Sequence, residues 1–120
     1  MARYSSTLNQ MVRGSDLTPV ASAARTTTGV GSWLSSDEFG AATLALDVTA
    51  ASGTTPTLNV TVETRGSSAD SARSVGTFAQ KTAVSAERKT FPGFDNEYRV
   101  TWTIGGATPS FTFSVTGVGK

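Results

Sequence analysis

A ten-residue pattern occurs twice in this chain of 120 residues. GTTPTLNVTV begins at Gly53 and GATPSFTFSV begins at Gly106, an offset of 53 residues. Both read Gly-x-Thr-Pro, then Ser or Thr, then apolar and polar residues in turn. Each copy follows a segment that already alternates, LALDVTAAS in one case and YRVTWTIG in the other. Period-two alternation gives a strand one buried face and one wet face. Glycine adopts positive φ in a turn, and proline fixes φ where a new strand begins and no ladder bond is needed. The pattern predicts two related β-hairpins, each with a short Gly-x-Thr-Pro loop. The repeat reads first as architecture, two hairpins packed face to face. A second reading puts both loops at one end of the domain as a contact surface.

The apolar members of the four strands are Leu44, Leu46 and Val48; Leu58, Val60 and Val62; Tyr98, Val100, Trp102 and Ile104; and Phe111, Phe113 and Val115. Weaker strands are expected at residues 74–80 and 86–91, with Gly66 to Ser74 as a polar loop and Pro92-Gly93 as a turn. Ser and Thr supply 35 of the 120 residues, and only 16% are charged. Thr suits strands and Ser suits turns. The expected fold class is all-β: an antiparallel, jelly-roll-like β-sandwich on two related hairpins, with an extended N-terminal arm. The division is residues 1–36 for the arm and 37–120 for the sandwich.

The arm is polar, with scattered apolar anchors and no sustained period. Arg3, Arg13 and Arg25 against Asp16 make it net basic. By itself such a segment buries too little to order. It can pack on its own domain or be held by neighbouring subunits in an assembly. On the second reading its partner-binding residues are Tyr4, Leu8, Met11, Arg13, Leu17, Arg25 and Trp33.

Composition excludes much chemistry. The chain has no Cys and no His. Thiol nucleophiles, Ser-His-Asp triads, Cys/His zinc sites and disulfides are therefore absent. Asp37-Glu38 and Asp95-Asn96-Glu97 are the acidic groupings, and neither has the spacing of a calcium loop. Adjacent strand carboxylates point to opposite faces, so paired acid–base work is not expected. There is no phosphate-binding glycine loop. The reading is a protein that is not an enzyme, without metal or cofactor. Net charge is +1, which gives no nucleic-acid footprint, and no apolar run reaches spanning length. The N-terminus lacks a signal-peptide pattern, and a cysteine-free chain fits folding inside a cell. Trp102 shares parity with Val100 and Ile104 and reads as core. Trp33 reads as an anchor for the arm. Arg65, Arg73, Arg88, Lys89 and Arg99 read as a dispersed solvated or interface set.

The segments LALDVTAASGTTPTLNVTVET and YRVTWTIGGATPSFTFSVTG resemble small structural proteins of tailed bacteriophages. The resemblance covers about the last two thirds of the chain and not the arm. It implies a non-enzymatic virion role, most simply a capsid decoration or cementing protein that docks through the arm. A minor tail or neck protein and a carbohydrate-binding adhesion module are the alternatives. The implied partners are the major capsid protein or other virion proteins, a second copy of the chain in a homo-oligomer such as a trimer, and on the adhesion reading a host-surface glycan. The implied place is the virion, after synthesis in the host cytoplasm.

Overall fold

The computed structural model describes residues 15–120. They form seven strands in one antiparallel sheet: β1 (Ser15–Arg25), β2 (Gly29–Val30), β3 (Leu34–Ser35), β4 (Ala41–Arg65), β5 (Arg73–Thr77), β6 (Ser85–Pro92) and β7 (Glu97–Gly119). The all-β sandwich class is the one that alternation predicts. The weaker strands expected near residues 74–80 and 86–91 are β5 and β6.

The Gly-x-Thr-Pro loops do not close hairpins of their own. β4 and β7 instead run as two long antiparallel partners, paired from Ala42↔Gly119 to Arg65↔Glu97. The register slips around Ser52, Thr54 and Thr57, where the first loop of the repeat lies opposite the second. Both strands bend there, and the ribbon folds back on itself. One layer is then β6, residues 41–52, residues 110–119 and β1. The other is β5, residues 57–65, residues 97–105, and β2 with β3. Ring contacts cross between the layers. Trp102 meets Phe113 at 5.7 Å, Phe39 meets Tyr98 at 5.8 Å and Phe78 meets Phe91 at 5.2 Å, all edge to face.

The two bends are near copies of each other. Gly53 and Gly106 have φ of 114° and 111°, and Thr55 and Thr108 have φ of 46° and 44°. Each threonine hydroxyl donates to the preceding carbonyl at 2.8 Å. Each glycine faces the backbone of the other bend. A Cβ on Gly53 would lie 2.8 Å from the Thr108 oxygen, and one on Gly106 would lie 2.8 Å from the Thr55 oxygen. An approximate twofold axis therefore passes through the crossing. It relates β4 to β7, β1 to β5, and β2 with β3 to β6.

The core is the alternating set. Leu44, Leu46, Val48, Leu58, Val60, Val62, Tyr98, Val100, Phe111, Phe113 and Val115 are all buried in one cluster. Trp102 and Ile104 pack on it but stay half-buried. Phe39 and Phe94 add a second aromatic group around Tyr98 at the end away from the bend. Burial there pushes the Tyr98 phenol up to about 12. Thr64 is fully buried without penalty, since its hydroxyl donates to the Glu97 carbonyl at 2.7 Å and accepts from the Asp95 N–H at 2.8 Å.

From Ser15 onward the N-terminal segment lies on its own domain. β1 pairs with the last strand from Ser15↔Gly119 to Arg25↔Phe111. Its sequence has no sustained apolar alternation: Val20 is buried, and Leu17, Pro19 and Arg25 are half-buried. The backbone partner supplied by β7 makes it a strand. As an edge strand it carries two protections against further pairing. Pro19 lacks an N–H, and the register is irregular on both sides of Val20.

Candidate interaction surface

Of the residues expected to bind a partner, Tyr4, Leu8, Met11 and Arg13 lie outside the described residues. The structure places Leu17, Arg25 and Trp33 at three different points, each engaged by its own domain. Leu17 sits opposite Gly117 and packs against the core. Arg25 reaches over the side of the sandwich. Its guanidinium lies 5.0 Å from the Trp102 ring and 4.7 Å from the Phe113 ring. It also donates to the carbonyls of Phe113, Ala23 and Ala21 at 3.0, 3.0 and 2.8 Å. Burial holds this guanidinium below its ordinary value. Nearby, the Trp102 indole donates to the Thr27 carbonyl at 3.2 Å, and the Thr28 hydroxyl accepts from the Ile104 N–H at 3.0 Å. Arg25, Thr27 and Thr28 thus fasten β1 and β2 around one edge of the core.

Trp33 lies over the outer face of the second layer. The Arg65 and Arg99 guanidiniums stand 4.1 and 4.5 Å from its ring centre. Both arginines belong to a cross-strand lattice. Arg65 pairs with Glu97 at 2.6 Å and Arg99 with Glu63 at 2.8 Å. All four side chains are on one face because β4 and β7 pair Glu63↔Arg99 and Arg65↔Glu97. The lattice and the tryptophan hold each other by charge and by cation–π attraction. The expectation of dispersed cations missed it. The signal was the shared odd parity of Glu63, Arg65, Glu97 and Arg99, which becomes informative only once the two strands are known to be neighbours.

Beside Trp33 is a shallow depression of about 420 Å³, bordered by Leu34, Asp37, Ser67, Asn96 and Glu97. Its polar groups are already committed. Asp37 accepts from the Ser35 hydroxyl at 2.8 Å, Asn96 donates to the Gly66 carbonyl at 3.2 Å, and Glu97 holds Arg65. Asp95 pairs with Arg73. The grouping Asp95-Asn96-Glu97 therefore diverges to three separate partners. Among the described residues, no three carboxylates converge as a metal site would need.

The other strong pairing closes the opposite side of the sandwich. Lys81 and Glu87 meet at 2.7 Å, with only 9% of the lysine side chain exposed. Glu87 also accepts from the Ala79 N–H at 3.0 Å. The Lys81 hydrogen bond holds the Glu87 carboxyl below the usual carboxylate range. Lys89 crosses to the Thr77 carbonyl at 2.8 Å. These bonds bring β5 and β6 together across the two layers.

The outer face of the first layer is of another kind. Thr43, Ala45, Asp47 and Thr49 of β4 stand beside Thr112, Ser114, Thr116 and Val118 of β7. Small and mostly uncharged side chains cover it, with one Thr43–Thr90 hydroxyl contact at 2.9 Å. No known family model, curated protein or solved structure matches the chain.

Proposed function

We propose that the chain is a non-enzymatic structural protein of a tailed-bacteriophage virion, of the capsid-decoration type. One observation carries the non-catalytic part of this reading. Strong polar side chains that could do chemistry, Arg25, Arg65, Arg99, Lys81, Glu63, Glu87 and Glu97, are engaged in fastening the sandwich to itself. A rigid module with one Thr/Ser/Ala face and one internally neutralised Arg/Glu face suits docking on a symmetric shell. The resemblance of residues 44–118 to phage structural proteins supplies the virion context.

Within the arm, residues 15–35 supply β1, β2 and β3 of the sandwich. On this reading the N-terminal arm makes the shell contact, and residues 1–14 are the part of it whose removal spares every described strand. Removing residues 2–14 should leave the sheet of residues 15–119 folded by circular dichroism and abolish attachment to capsids that lack the protein. A truncated protein that still saturates such capsids with unchanged affinity defeats the docking assignment. Copy number per particle tests the position. A shell role requires many copies, whereas a handful would move the protein to the neck or tail.

A further inference from the structure

Every strand pairing in the described sheet joins one half of the chain to the other. β1, β2 and β3 pair with β7. β5 and β6 pair with β4, and β4 pairs with β7. The bridge Leu58↔Lys81 also crosses between halves. No strand of residues 15–65 pairs with another strand of that half, and the same holds for residues 73–119. The approximate twofold axis through the Gly53 and Gly106 bends exchanges these two halves. Neither half has a sheet of its own, and each completes the other in both layers.

This is how an intertwined homodimer is built, except that here the two subunits are consecutive in one chain. The covalent tie is residues 66–72, GSSADSA, and its side chains from Ser67 to Ala72 are exposed. The tie sits outside the core cluster. Nothing in the pairing rules requires that the complementary half come from the same chain.

We infer that residues 15–65 and 73–119 are complementary halves, and that a second copy of this chain can supply either of them. The surface used is the whole β4–β7 ribbon with its flanking strands, and the partner is another molecule of the same protein. Exchange opens residues 66–72, exposed from Ser67 to Ala72, and re-forms the same ladders between chains, the low-cost route to a dimer by swapping an identical element. The inference does not depend on a virion role.

Two full-length variants test it. Val60→Asp and Phe113→Asp each place a carboxylate at a fully buried position, one in each half. Refolded alone, neither should form the sandwich. Refolded together in equal amounts, they should form a mixed dimer. In it the intact first half of Phe113→Asp pairs with the intact second half of Val60→Asp. The expected far-UV signal is about half that of the wild type, in a species of twice the chain mass. A mixture no better folded than its components overturns the inference. An independent arm uses the otherwise unaltered chain with a protease site inside residues 67–71, cut after folding. The pieces should co-elute as a folded complex whose thermal midpoint rises with concentration, which the uncut protein does not show. Pieces that part at micromolar concentration, folded or not, overturn the inference as well.

Discussion

Gly53→Ala tests whether the crossing of the two bends holds the fold. The added Cβ would lie 2.8 Å from the Thr108 oxygen, 2.9 Å from the Pro109 Cα and 3.0 Å from the Ala107 oxygen. All three are backbone atoms of the facing strand, so no side-chain rotation relieves the overlap. A φ of 114° adds a second cost, since it lies outside the conformations that alanine readily adopts. Such a backbone conformation costs about 1–3 kcal/mol, and overpacking a rigid contact costs about as much again. The sum is roughly 2–6 kcal/mol, a large part of the ~5–15 kcal/mol that stabilises an ordinary domain. Urea unfolding followed by far-UV circular dichroism should show the loss as a fall in midpoint at unchanged slope. Gly40→Ala is the control, because a Cβ there meets nothing within 4 Å and its φ is not positive. Gly106→Ala should match Gly53→Ala to within about 0.5 kcal/mol, and the double variant should lose less than the sum, because both changes act on one crossing. If Gly53→Ala and Gly40→Ala unfold at the same urea concentration, the crossing does not carry the stability assigned to it.

Two further outcomes follow from buried polar groups. Thr64→Val keeps the shape but strips the Asp95 N–H of its acceptor and the Glu97 carbonyl of its donor. It should cost about 1–3 kcal/mol by urea unfolding, and a neutral result would mean that those groups are satisfied elsewhere. Glu87 ionises more readily in the folded protein than in the unfolded chain, so its share of stability is present above about pH 4.3 and is lost as pH falls through the lower folded value. Glu87→Gln should remove that part of the acid slope. It should also cost about 2 kcal/mol near neutrality, because Lys81 is left without its carboxylate in a mostly buried site. An acid limb identical to the wild type would refute the assignment to this pair.

Alternation made the core legible from the sequence. Eleven of the thirteen apolar positions read from it are fully buried, and Trp102 and Ile104 are half-buried against the same core. The repeat was legible too, and so was positive φ at its glycines. The partner of each strand was not. A Gly-x-Thr-Pro turn and an alternating run are local features, and they read the same whether the next strand returns beside the last one or continues past a bend. Two equal bends facing each other produce the second outcome, and neither copy alone contains that information. The edge strands of residues 15–35 were hidden for another reason. Few of their side chains are buried, so backbone bonds to β7 define them rather than hydrophobic pattern. The Trp33 cluster was half-legible. Trp33 as an anchor could be read from its place, but Arg65 and Arg99 become its neighbours only through the β4–β7 register.

The pairing of the first half with the last strand also sets a schedule. During synthesis β1, β2 and β3 have no strand to bond with until β7 follows, and β7 is the last of the described strands. Ser15 must wait for Gly119. Ladders that join such distant positions form slowly, because loop closure precedes any gain from contact. Until then the apolar row of Leu44, Leu46, Val48, Leu58, Val60 and Val62 is covered on one side at most. The folded protein shields its edges with proline, irregular register and paired charge. Its hazard lies earlier, in the interval before the final strand arrives, and a chain that stalls short of residue 97 would present the ribbon's unpaired edge to its neighbours.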